Sequence, residues 1–107
     1  MMNYHLFLMI IEPIIEKEKH DFLQAGIDYQ RLLNDSRPED KKWSLNQIYL
    51  WLDYKWDIIM GEQFETLKER YPLDQIHAWE KRCNNMHYLA ALRETLAIET
   101  DKFQVKS

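Results

Sequence analysis

The sequence predicts an all-α chain, a single-domain antiparallel bundle of three long helices with an N-terminal apolar helical segment as a fourth element. Three observations lead there. Only two glycines and three prolines occur in 107 residues, whereas compact β folds need many turns and turns consume glycine. Apolar residues recur at helical spacing over long stretches. Prolines and capping signals divide those stretches at only a few places. The length suits one domain spanning 1–107 with a core of its own. The hydrophobic fraction of 46% and aromatic fraction of 13% argue against disorder.

The elements follow in order. The segment of about 3–11, "YHLFLMII", reads as a short helix or a buried strand, and a lone strand has nothing to pair with, so helix is preferred. Proline is tolerated in the first turn of a helix and disfavours helix just before it. Pro13 therefore opens a helix over about 13–34, or kinks one that continues from the first segment. Ile15, Phe22, Gly26, Tyr29 and Leu33 share one side of it. The polar run "NDSRPEDKKW" is a loop over about 35–44, with room for a helical turn at Pro38. Ser44 and Gln47 form a capping box, which opens a helix of about 45–70. Tyr71-Pro72 ends it. Asp74 is expected to cap a last helix of about 75–100, and the tail of about 101–107 to fray. The expected core is Phe7, Ile15, Phe22, Leu33, Leu45, Ile48, Leu52, Trp56, Ile59, Leu67, Ile76, Trp79, Met86, Leu89 and Leu96.

The helix that starts after Ser44 is unusual. At 100° per residue, Leu45, Ile48, Leu52, Trp56, Ile59, Gln63 and Leu67 fall in one arc, with Tyr49 and Met60 at its edges. Nearly opposite lie Leu50, Trp51, Tyr54 and Ile58, flanked by Asp53 and Asp57 and extended by Glu62 and Glu65. A helix apolar on both sides is usually a buried central helix, and the N-terminal apolar segment is then its cover. Carboxylates beside the second stripe favour another use, since burying an unpaired charge is costly. Leu50, Trp51, Asp53, Tyr54, Asp57, Ile58, Glu62 and Glu65 are therefore the candidate partner-binding residues. On this reading Trp51→Ala leaves folding nearly intact and weakens partner binding. Gly61 in this helix signals either close helix approach or a kink.

The formal charge of −4 disfavours nucleic acid as a partner, which calls for a basic surface, and suits a basic protein instead. A single cysteine, Cys83, cannot form an internal disulfide and fits a reducing compartment. The N-terminal apolar run lacks a basic leader and is far shorter than the roughly 20 residues of a membrane span. The expectation is a cytoplasmic protein that engages no membrane.

Candidate chemistry is sparse. "HAWEKRCNNMH" sets His77, Glu80, Asn84 and His87 along one helical stripe with Cys83 at its border. Helical metal sites use such spacing, but a di-iron bundle needs Glu-x-x-His on two helices. The nearest second segment, "EKEKH", reads as a solvated face. Cys83 and His87 lack a third, orienting group, so Cys83 reads as structural, and His5 reads as a hydrogen-bonded core residue. Glycine-rich phosphate loops, HExxH, CxxC pairs and nucleophile elbows are missing. No metal, no cofactor and no enzymatic activity are expected. The leading expectation is a small acidic module that inhibits a basic protein. A structural or adaptor subunit of a homo- or hetero-oligomer, including a homodimer, is the alternative, and a helical metal enzyme a distant third.

In size, charge and aromatic content the chain resembles small acidic inhibitors: immunity proteins for toxins, antitoxins and anti-defence proteins of phage. The likeness rests on no motif and transfers no residues.

Overall fold

The computed structural model describes residues 1–104. Among them are five α-helices and no strand: α1 (Tyr4–Ile11), α2 (Glu16–Ser36), α3 (Leu45–Lys68), α4 (Ile76–Cys83) and α5 (Met86–Asp101). The chain is thus an all-helical bundle. A 3₁₀ turn at Glu39–Lys41 follows Pro38.

Local chemistry accounts for most boundaries. Asn3 caps α1 by accepting from the Leu6 N–H at 2.8 Å. Pro13 sits between helices, not inside α2. The N–H groups of Ile14 and Ile15 both turn back to the Ile11 carbonyl, and α2 starts only at Glu16. The Ser44–Gln47 capping box forms in full. Two other boundaries differ from expectation. Asp74 makes no cap; Gln75 precedes α4 with no side-chain hydrogen bond. The last helix is broken at Asn84–Asn85. There the Asn84 amide donates to the Glu80 carbonyl at 2.8 Å and closes α4. Asn85 Oδ1 accepts from the His87 and Tyr88 N–H groups and opens α5. Asparagine competes with the helix for backbone groups, and two in a row end one helix and start the next.

Packing holds the helices side by side along an axis of 51 Å, against 25 and 21 Å across. α2 meets α3 and α5; α1 meets α3 and α4; α4 meets α5. Between α2 and α3 the pairs Phe22–Trp56, Tyr29–Trp51 and Asn34–Trp43 run in opposite chain order. Aromatic rings line the interior. Phe7, Phe64 and Trp79 pack together where α1, α3 and α4 meet, with ring centroids 5.3–6.1 Å apart. Trp56 contacts Phe22 at mid-length.

Most expected core positions are buried, but four are not. Leu33 and Ile76 are half-buried, Leu45 is 44% exposed and Met86 82% exposed. Met86 lies in the first turn after the Asn85 break, which rotates it off the phase of a continuous helix. Ile11, Met60, Phe64, Cys83 and Leu92 join the core instead. His5 is exposed, so it is not a core histidine. The expected frayed tail is ordered as far as it is described: α5 ends at Asp101, and Phe103 folds back among Phe22, Tyr29 and Trp51. Its last three positions, 105–107, lie outside the described residues.

The two glycines differ. A Cβ on Gly26 would overlap Leu52 Cδ2, whereas nothing lies within 4 Å of a Cβ on Gly61. Leu52 is fully buried, so it has little room to yield. Gly26→Ala is expected to destabilise the fold by about 1–3 kcal/mol through overpacking. Gly61→Ala is expected to stabilise it by about 0.5–1 kcal/mol through helix propensity. Paired urea titrations check both, and equal shifts of the same sign would refute the close contact of Gly26 with Leu52.

Candidate functional site: the outer face of α3

The second apolar stripe of α3 divides in two, while Phe64, outside both stripes, packs on Tyr4 and Phe7 of α1 and is buried there. Trp51 turns toward α2 and is half-buried. Its ring stacks on Tyr29 with centroids 6.3 Å apart, meets Trp43 and Phe103 edgewise or tilted, and carries the Lys55 ammonium 5.4 Å from its centroid. Leu50, Tyr54 and Ile58 stay at the surface, 64%, 64% and 43% exposed. They are spaced by four residues and form one ladder along α3.

Carboxylates border this ladder. Asp53, Asp57, Glu62 and Glu65 are all exposed. Asp57 is tethered: the Tyr4 hydroxyl on α1 donates to its Oδ1 at 2.7 Å. Burial first, and this bond second, hold the Tyr4 phenol well above the ordinary tyrosine range. Glu65 lies 3.9 Å from Lys68, a loose surface pair of little energetic weight. Around Gly61 the surface dips into a shallow hollow bounded by Asp57, Ile58, Glu62, Glu65, Thr66 and Glu69. Beside it, between α3 and α5, a groove of about 260 Å³ is walled by Trp51, Ile58, Ile59, Phe22, Tyr29 and Phe103, with Lys55, Glu99 and Lys102 at its edge.

Seven of the eight expected positions therefore share one exposed face, and Trp51 is the correction. It belongs largely to an internal aromatic cluster, because Tyr29 and the returning Phe103 cover it. Trp51→Ala then removes packing within the chain, and it is not the clean surface probe that the helical wheel suggests. Leu45 and Tyr49, on the inward arc and at its edge, are each 44% exposed near the start of α3, contrary to the burial that the arc suggests.

The loop before α3 is less solvated than its charges suggest. Asn34 accepts from the Trp43 N–H and donates to its carbonyl, both at 2.9 Å. Arg37 donates to Asn34 and Gln30 and lies 4.6 Å from the centre of the Trp43 ring. These bonds fix the entry to α3 and satisfy Gln30, which is buried. The asparagine three residues before Arg37 was the available signal.

The possible metal stripe does not form. His77 and Glu80 lie on α4, Asn84 is engaged in closing that helix, and His87 lies beyond the break on α5. Among the described residues no group of three His, Cys, Asp or Glu side chains is placed to hold a metal ion. Cys83 is fully buried. Burial, followed by the nearby Glu80 charge, pushes its thiol up to about 11, which makes it a poor nucleophile at neutral pH. "EKEKH" is not wholly a solvated face either: Lys19 is half-buried and pairs with Glu12.

No family model, characterised protein or solved structure matches this chain.

Proposed function

We propose that this protein is a binding module whose α3 outer face seats a basic protein partner, and that it acts as a stoichiometric inhibitor in the manner of immunity proteins and antitoxins. One observation carries the reading: the exposed Leu50–Tyr54–Ile58 ladder runs between four exposed carboxylates. Apolar residues so placed lose water favourably when covered, and tyrosine is a frequent interface hot spot. The surrounding carboxylates attract cationic surfaces and speed their approach. A partner whose substrate site is cationic would be blocked by such a face. Gly61 supports close approach from outside, since packing within the chain does not require it. Action in a reducing cytoplasm suits the free, buried Cys83. Among the described residues no helix is long and apolar enough to cross a membrane.

The alternative, a structural or adaptor subunit, draws on the same exposed ladder. A second copy placed on this face would bring carboxylates against carboxylates, which favours an unlike, basic partner over a homodimer.

The test is recovery of the partner from the native host by affinity purification, followed by binding measurements with the purified pair. Tyr54→Ala should leave the thermal midpoint unchanged and weaken binding by about 2 kcal/mol or more. Asp53→Asn with Asp57→Asn should slow association and flatten its salt dependence. A partner bound equally well by Tyr54→Ala and by Leu50→Ala would place the interface elsewhere.

A further inference from the structure

A hollow with cationic side chains on its walls lies at the break between α4 and α5. Lys81 and Arg82 occupy the last turn of α4. Both line this hollow of about 240 Å³, whose other walls are Tyr71, Ala78 and Asn85. The Arg82 guanidinium lies over the Tyr88 ring, 5.4 Å from its centroid. Its Nε is shut off from solvent with no acceptor in reach. Among the described residues, neither Arg82 nor Lys81 enters an ion pair.

Cations in the last turn of a helix offset its dipole, which explains their presence there. It does not explain a buried charged donor left unmet, an arrangement that carries a desolvation cost. Asn85 adds to the imbalance. Its Oδ1 is taken by the His87 and Tyr88 N–H groups, which leaves its amide nitrogen as a further donor on the wall. The hollow thus offers two cations and an amide donor, with no carboxylate among its lining residues, in a chain of net charge −4. Since Arg82 has no ion pair to lose, turning its guanidinium toward the hollow sacrifices none.

We propose that this hollow binds a small oxyanion group, a phosphate ester or a carboxylate, gripped by the forked guanidinium of Arg82 and the ammonium of Lys81. Guanidinium geometry matches both groups bidentately. The site shares no residue with the outer face of α3 and stands or falls independently of it.

Titration of the ¹⁵N-labelled full chain with inorganic phosphate, and separately with acetate, at ionic strength held constant with sodium chloride, tests it. Saturable shifts are expected at Ala78, Lys81, Arg82 and Asn85 and at the Arg82 Nε–H resonance. Saturation by phosphate alone assigns a phosphoryl ligand, and saturation by acetate alone or as well assigns a carboxylate. Arg82→Gln should weaken binding at least about tenfold, and Arg82→Lys, which keeps the charge but not the fork, by less. Shifts that never saturate, or saturable binding unchanged in a folded Arg82→Gln, would overturn the proposal. Should Arg82→Gln not fold, the exposed Lys81→Gln decides: reduced affinity supports the site, and unchanged affinity overturns it.

Discussion

Trp79→Ala is expected to destabilise the protein by about 3–5 kcal/mol, a large part of the roughly 5–15 kcal/mol that holds a small domain folded. Trp79 is fully buried where α1, α3 and α4 converge. Its ring touches Phe7 and Phe64 and lies 6.3 Å, centroid to centroid, from Tyr71. Its Nε1 donates to the Pro72 carbonyl at 3.0 Å, which fixes the turn between α3 and α4. Neither α1 nor α4 exceeds 8 residues, and isolated helices that short are not stable in water. Both depend on this junction. Urea denaturation followed by far-ultraviolet circular dichroism should show a much lower midpoint and a loss of helix that begins before the main transition. An unchanged midpoint would mean that α1 and α4 are held by something other than this ring.

Trp56→Ala should cost a comparable amount, about 3–5 kcal/mol, for a partly different reason. Trp56 is 3% exposed and packs against Phe22, with ring centroids 5.5 Å apart. Its Nε1 also donates to Glu12 Oε2 at 3.1 Å, while Lys19 pairs with the same carboxylate and lies 5.4 Å from the centroid of the indole. Glu12 thus ties the end of α1 to both α2 and α3. Removing the indole opens a cavity and takes away a donor from a half-buried carboxylate. Trp56→Phe lessens the first effect. It loses the N–H and the five-membered part of the indole but leaves a smaller cavity, so it should cost less, with the lost charge-assisted bond contributing about 1.5–3 kcal/mol. Equal midpoints for Trp56→Ala and wild type would mean that the phase assigned to α3 is wrong.

What could be read from the sequence was local or periodic. The Ser44–Gln47 box, the halt at Tyr71-Pro72 and the burial of Ile48, Leu52, Trp56, Ile59 and Leu67 on one arc all follow from contacts within a few turns of one helix. The helical class follows from glycine scarcity and spacing. Where reading went astray, a neighbour distant in the chain decided the outcome. A helical wheel treats Trp51 and Tyr54 alike, since both lie away from the core arc. Only the packed structure shows that Tyr29 and Phe103 cover the first, while among the described residues the second stays 64% exposed. Phe103 itself looked like part of a fraying tail, because its reason for order is an aromatic pocket assembled from α2 and α3. The break at Asn84–Asn85 was legible in principle, as two capping residues in sequence, but an unbroken run of helix-compatible residues on either side masked it. Its consequences were not legible, because the turn it introduces rotates Met86 outward and separates His77 from His87. By itself, then, the sequence determined which segments are helical and which arc of α3 faces inward, because capping and 3.6-residue periodicity act over short range. The tertiary structure alone decided which of the remaining apolar residues meet water, because exposure depends on which helices happen to lie alongside, and that is a property of the whole packed chain.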